Sequence, residues 1–118
     1  MPDGRLMPIQ DIRLSFDNGD ACDLTIASHG DGYSVSMDYR PKRSAAFDPH
    51  SGPIMNNAKE AFDFVLKIVL GIANLCGGKI SAVDNPCNAE LLSAADQQAV
   101  LESHGVSAPI AVNGELNA

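Results

Sequence analysis

The chain contains no tryptophan, only two tyrosines and four phenylalanines, and no apolar run long enough to cross a bilayer. Its longest apolar stretch, residues 64–76, is interrupted by Lys67 and falls short of the roughly 20 residues that a transmembrane helix needs. The first ten residues lack the charged start and apolar run of a secretory signal. We therefore expect no membrane association and a cytoplasmic location.

Paired cysteines and closely spaced metal ligands are also missing. Cys22, Cys76 and Cys87 give an odd count without a CxxC pair, which predicts reduced thiols. No two histidines share a helix turn, so the ligand spacing of a zinc site is absent. The acidic string at residues 17–23 is no calcium loop, because glycine and alanine stand where an EF-hand loop needs side-chain oxygens. We predict that the chain holds no metal.

Motifs for nucleotide binding and for nucleophilic catalysis do not occur either. Neither the Walker pattern nor GxGxxG is present, so we predict no cofactor. Nothing local holds a cysteine thiolate beside a base. Cys22 and Cys76 are expected as buried apolar side chains, and Cys87 as an exposed loop residue. These absences favour a binding protein over an enzyme.

The net charge of −7 is unevenly distributed along the 118 residues. Residues 1–39 carry −5, residues 40–79 carry +3, and residues 80–118 carry −5 with no basic residue. A general nucleic-acid-binding protein needs a basic surface that displaces counterions from phosphates, so the charge balance argues against that class. The acidic balance instead suits a basic protein partner.

Three segments between residues 11 and 39 alternate apolar and polar residues with a period of two, which predicts half-buried β-strands. The intervening Gly-, Asn- and Asp-rich segments favour antiparallel turns. Keeping the apolar side chains on one face pairs Phe16 with Cys22 across an odd-numbered loop, and Ile26 with Tyr33 across an even one. The outward residues then form two cross-strand rows: Arg13, Thr25 and Ser34, followed by Ser15, Asp23 and Ser36.

Residues 58–76 read as a helix that is apolar nearly all round. Asn56 or Asn57 is placed to cap its start, and Gly77-Gly78 is placed to end it. Such a helix must be covered on two sides. One cover is the strand face, and the other is a second helix that opens at Ser93 and ends at His104, or a second copy of the chain through a homodimer.

The expected fold is a single α+β domain over residues 11–112, in the order β-β-β-α-β-α. A short strand is expected at 79–83, an edge strand at 110–112, and a long surface loop at 40–54. Residues 1–10 are expected to form a flexible extension and residues 113–118 a frayed tail. Met7 is an alternative start to Met1.

The outward face of the strands, with its acidic rims, is the main candidate site, although solvated sheet faces commonly have the same composition. The predicted partner-binding residues are Asp17, Asp20, Asp23, Asp31 and Asp38. A secondary candidate is the loop set Arg40, Lys42, Arg43 and His50. The resulting functional hypothesis is a small non-enzymatic inhibitor or immunity-type protein that neutralises a basic toxin or nuclease. One alternative is a small enzyme or ligand-binding protein that uses the 40–54 loop, with Arg40, Asp48 and His50 converging on the end of the helix. The other is an oligomeric scaffold built on the central helix.

Overall fold

The computed structural model describes residues 9–43, 47–86 and 91–112. The elements are β1 (Ile9–Phe16), β2 (Ala21–Ser28), β3 (Tyr33–Arg40), β4 (His50–Ser51), α1 (Ala58–Cys76), β5 (Ile80–Asn85), α2 (Ala94–Ser103) and β6 (Ile110–Val112). The predicted β-β-β-α-β-α order and the edge strand at 110–112 are confirmed. The two-residue strand β4 lies inside the segment expected to be irregular, and the predicted tail at 113–118 lies outside the described residues.

The described strands form one six-stranded sheet in the order β4-β3-β2-β1-β5-β6. Neighbouring strands are antiparallel except for β5 and β6, which are parallel. Alternate residues of β1 to β3 are fully buried, and the residues between them are exposed or half-buried. Both helices pack on the buried face, and no helix of the described residues packs on the opposite face, whose side chains are exposed or half-buried. We call this opposite face the outer face.

The strand register differs from the predicted one by two residues in each hairpin. Leu14, not Phe16, lies opposite Cys22, and Val35, not Tyr33, lies opposite Ile26. Both turns are shorter than expected, because tight turns let the strands form additional ladder pairs. In the first turn the Phe16 amide donates to the Asp20 carbonyl at 3.0 Å, across a three-residue loop. A shift of two residues preserves the faces but changes which outward residues are neighbours.

Both helices begin and end where local signals predict. Asn57 caps α1 by accepting a hydrogen bond from the Glu60 amide at 2.8 Å, and Gly77 ends it with φ +79°. Ser93 caps α2 in the same way, through the Asp96 amide at 3.1 Å. These caps satisfy backbone groups that have no partner inside the helix. In the described chain no helix is both long and apolar enough to span a bilayer.

A cluster of three buried side-chain amides links β1, β5 and α2. Gln10 Nε2 donates to Asn85 Oδ1 at 3.1 Å, and Asn85 Nδ2 donates to Gln97 Oε1 at 3.1 Å. Gln10 Oε1 also accepts from the amides of Leu91 and Leu92. Residues 1–10 were expected to be a flexible extension, and for residues 9 and 10 that is wrong, because both belong to β1 and Gln10 is only 1% exposed. Residues 1–8 lie outside the described part of the chain.

Candidate binding face

The centre of the outer face is a row of four charged residues, one on each of four adjacent strands. The β-ladders place Asp84 opposite Arg13, Arg13 opposite Asp23, and Asp23 opposite Asp38. Strands in a sheet are about 4.8 Å apart, so this row spans about 14 Å. We call these residues the charged row: Asp84, Arg13, Asp23 and Asp38.

Two arginines organise the carboxylates of the row. Arg13 Nε donates to Asp23 Oδ1 at 2.7 Å, and this hydrogen bond raises the pKa of Arg13. Arg40, two residues after Asp38 on the same strand, places Nη2 3.1 Å from Asp38 Oδ2 and 3.5 Å from Asp23 Oδ2. Both arginines are more than half exposed, so water screens these pairs and each contributes little to stability. The pairs chiefly fix the positions of the carboxylates.

A second row lies beside the charged row, towards the other end of the strands. Asp11, Thr25 and Ser36 are neighbours in it, and the Thr25 hydroxyl donates to Asp11 Oδ1 at 3.0 Å. Both rows, except Asp84, line a concavity of about 370 Å³ that Pro49 and Pro86 border. The outer face therefore offers a shallow polar depression with carboxylate, hydroxyl and guanidinium groups.

Asp20 was predicted to be part of an acidic rim, and this is wrong. Its side chain is buried, with 5% exposure. Asp20 Oδ1 accepts from the Lys42 amide at 2.8 Å, and Oδ2 accepts from the Tyr39 hydroxyl at 2.7 Å. The hydrogen bond from the Lys42 amide is the largest cause of the lowered pKa of Asp20. Asp20 therefore holds the start of the 41–49 loop against the sheet instead of facing a partner.

The remaining rim aspartates lie at opposite ends of the sheet. Asp17 is exposed in the first turn, where its carboxylate accepts from the Lys79 amide at 2.9 Å. Asp31 is exposed in the second turn. Strand β2 separates these turns by about 23 Å. Of the five predicted aspartates, Asp23 and Asp38 are therefore the two that come together on the outer face, whereas Asp17 and Asp20 line a separate concavity at the first turn.

The four residues of the secondary loop set are not one site. Arg40 lies on the outer face, whereas His50 is paired with Met37 and so lies on the opposite side of the sheet. Lys42 and Arg43 are exposed at the end of the sheet that carries Asp17, and Arg43 and Asp17 line a common concavity. The expected convergence of Arg40 and His50 on the end of the helix is therefore not formed.

Within the described residues, neither Cys22 nor Cys76 forms a hydrogen bond with a histidine. Burial raises the pKa of the Cys22 thiol to about 12, so that thiol is protonated at neutral pH. His29 Nε2 lies 2.7 Å from Ser34 Oγ on an exposed turn, and His104 Nε2 lies 2.6 Å from Asp63 Oδ1. No group of three potential metal ligands occurs within the described residues. Cys87, expected in an exposed loop, lies outside them.

Sequence reasoning missed Asp11 and Asp84 on the outer face, and it placed Arg13 there without naming it as a site residue. The period-two pattern does place Asp11 and Arg13 on the outward side, and that signal was available. The alternating pattern could not predict the position of Asp84, because Asp84 lies beyond the predicted strand at 79–83. It joins the charged row only through the pairing of β5 with β1.

Comparison of the chain with protein-family models, curated proteins and solved structures found no match. The function is therefore inferred from the chemistry of the outer face. Among the described residues, that face combines an excess of carboxylates with a shallow depression.

Proposed function

We propose that this chain is a small non-enzymatic binding protein that holds a basic protein partner on its outer face. The observation that carries the proposal is the excess of fixed carboxylates there: four aspartates surround two arginines. Each arginine is already paired, Arg13 with Asp23 and Arg40 with Asp38. Within the described chain, neither Asp11 nor Asp84 forms an ion pair within 4.0 Å. These two carboxylates are available to a partner's lysine or arginine.

The charge of the whole chain supports the same partner class. A net charge of −7 attracts a basic protein over distances of about a Debye length, near 8 to 10 Å at ordinary salt. The charged row then supplies specific contacts once the partner docks. The two arginines keep the carboxylates in position, so less side-chain freedom is lost on binding.

Inhibition is the biological role that this surface favours. A nuclease binds phosphates through a basic surface, and an acidic protein docked there competes with the nucleic acid. Other toxins with basic functional surfaces are neutralised by the same physical principle. We therefore propose an inhibitor or immunity-type role, in which the outer face covers the functional surface of the partner.

The test uses affinity capture from the native lysate, followed by binding kinetics with each recovered protein. The double variant Asp23→Asn/Asp38→Asn is compared with Glu60→Gln/Glu102→Gln, which changes the net charge equally at exposed helix positions. We expect the first variant to bind at least roughly tenfold more weakly, because central interface charges have large effects on affinity. The helix variant should keep most of the affinity.

Salt provides the second arm of the test. Association of wild-type protein should slow as ionic strength rises, since screening weakens electrostatic steering. The recovered partner should also be basic, and its activity should fall when this chain is added. A partner whose binding ignores both salt and the strand variant would overturn the proposal. If Asp23→Asn/Asp38→Asn and Glu60→Gln/Glu102→Gln weakened binding equally, only the net charge would matter for affinity. The outer face would then not be the binding site.

A further inference from the structure

The depression on the outer face holds one negative charge that no basic side chain of the described residues neutralises. Three carboxylates and two guanidinium groups line it, which gives a net charge of −1: Asp11, Asp23, Asp38, Arg13 and Arg40. Arg13 Nε lies 2.7 Å from Asp23 Oδ1, and Arg40 Nη2 lies 3.1 Å from Asp38 Oδ2. Asp11 is left without an ion pair among the described residues. One added cation would balance the charge of the depression.

The hydrogen-bond acceptors beside Asp11 suit a group with several donors. The β-ladders place Asp11 opposite Thr25, and Thr25 opposite Ser36. The Thr25 hydroxyl donates to Asp11 Oδ1 at 3.0 Å, so its own oxygen remains able to accept. The Ser36 hydroxyl makes no hydrogen bond to the described part of the chain. One carboxylate and two hydroxyl oxygens therefore lie in a row within the depression.

We propose that this row binds the ammonium group of a lysine on the basic partner, with Asp11 as the anchoring carboxylate. The inference rests on the proposed function, because it names the side chain that the partner places on the outer face. An ammonium group is a compact charge with three N–H donors, which matches a carboxylate and two hydroxyl oxygens. We call Asp11, Thr25 and Ser36 the lysine site.

Arginine fits this row less well than lysine. A guanidinium group binds a carboxylate best through two parallel hydrogen bonds, one to each oxygen. Asp11 Oδ1 already accepts from the Thr25 hydroxyl, so a guanidinium group on Asp11 would compete with that hydrogen bond. An ammonium group can bind the Asp11 carboxylate and the Thr25 oxygen together. The hydrogen bond between Thr25 and Asp11 therefore favours lysine.

The lysine site is accessible, and its borders add no competing donor. Asp11 is exposed, and Thr25 and Ser36 are half-buried. Pro49 and Pro86 border the depression, and proline has no amide N–H that could occupy these acceptors. The acceptors of the row are thus available to a donor from outside.

Asp84 supplies a matched control within the same face. Like Asp11, it forms no ion pair within 4.0 Å among the described residues. It differs in its surroundings, because it lies opposite Arg13 and is not among the residues that line the depression. Asp84 therefore has the charge of Asp11 without the row of hydroxyl groups.

The test is an NMR titration of the isotope-labelled full chain with the peptide acetyl-Gly-Lys-Gly-amide at low ionic strength. The backbone amide signals of Asp11, Thr25 and Ser36 should shift, with a dissociation constant in the millimolar range, since a single exposed charge pair binds weakly. Asp11→Asn should weaken binding at least roughly threefold. Asp84→Asn, which removes the same charge, should change the affinity by less than about 1.5-fold.

Two further comparisons separate hydrogen bonding from net charge. Ser36→Ala should weaken binding of the lysine peptide at least roughly twofold, because it removes one acceptor. Ser15→Ala, the same change on the outer face but outside the depression, should have no effect. The peptides with arginine or norleucine in place of lysine should bind more weakly than the lysine peptide. The same spectra show whether each variant is folded.

The lysine site would be overturned by equal effects of Asp11→Asn and Asp84→Asn, or by an arginine peptide that binds as tightly as the lysine peptide. Absence of shifts at the three amides would also overturn it. These outcomes differ from a failure of the proposed function. A captured basic partner that Asp23→Asn/Asp38→Asn weakens supports the proposed function even when the peptide does not bind. Peptide binding at Asp11, together with a partner that ignores the outer face, supports the lysine site and contradicts the proposed function.

Discussion

Asp23 and Asp38 lie directly opposite each other on β2 and β3, and Arg40 Nη2 lies within 3.5 Å of a carboxylate oxygen of both. Like charges at directly opposed positions destabilise a strand pair. Arg40 lies between them and offsets that repulsion. This three-residue unit explains how an acidic pair persists in the middle of a sheet.

Asp38→Asn should therefore change the free energy of unfolding by no more than about 0.5 kcal/mol. The substitution removes an exposed ion pair, but it also removes the repulsion with Asp23. Urea unfolding followed by circular dichroism measures the change. A loss above about 2 kcal/mol would contradict this account, and would mean that the outer face is under tighter structural constraint than its exposure indicates.

Leu66→Ala should destabilise the protein by about 2–5 kcal/mol. Leu66 is fully buried between α1 and the sheet, so truncation removes apolar burial and leaves a cavity. The same urea titration provides the measurement. Ile54→Ala, at a position 62% exposed, is the matched control and should have a small effect. A loss below about half a kcal/mol for Leu66→Ala would show that the helix face is not packed as described.

Gln10→Ala should destabilise the protein by roughly 1–3 kcal/mol for each buried group left without a partner. The amides of Leu91 and Leu92 both donate to Gln10 Oε1, so both would lose their acceptor. Hydrogen exchange should accelerate at these two amides. Gln98→Ala, which removes an exposed hydrogen bond to Glu102, should leave their exchange unchanged.

Stability should fall as the pH is lowered below about 4, the ordinary range of an aspartate pKa. The folded state lowers the pKa of Asp20, chiefly through the Lys42 amide, and that of Asp63, chiefly through His104. A group with a lowered pKa stabilises the fold above its unfolded-state pKa and loses that contribution as it is protonated. Asp20→Asn should flatten the decline in urea midpoint between about pH 5 and 2, and an unchanged decline would exclude Asp20 as a contributor.

Cys22 should react with a thiol reagent at least roughly 100-fold more slowly in the native protein than in denaturant at pH 8. Its side chain is fully buried, and burial raises its pKa to about 12, so the reactive thiolate is scarce. Mass spectrometry locates the modification. Cys76, which is half-buried, should react faster in the native protein. Cys87 is predicted to react fastest, and all three thiols are predicted to be free.

The elements that sequence reasoning predicted well depend on neighbouring residues. Asn57, Gly77 and Ser93 act on backbone groups within a few positions, so the helix ends can be read from the chain directly. The alternation in β1 to β3 similarly determines which side chains turn inward, because successive residues of a strand point to opposite faces. Asp23 and Asp38 were placed on the outer face by this pattern alone.

Tertiary structure decided the features that join distant segments. The register that aligns Asp23 with Arg13 depends on how tightly the turns close, and a two-residue shift leaves the inward pattern unchanged. The pairing of β5 with β1 brings Asp84 into the charged row from 71 positions away. From the sequence, Asp20 is predicted to be exposed, but in the fold it is buried and accepts hydrogen bonds from the Tyr39 hydroxyl and the Lys42 amide. Gln10 is predicted to lie in a flexible extension, but in the fold its side chain donates to Asn85. The sequence alone determined which side chains face inward and where the helices end, because both follow from local backbone geometry. Which residues are neighbours across strands was decided by packing between distant segments, and a short stretch of sequence carries no information about that packing.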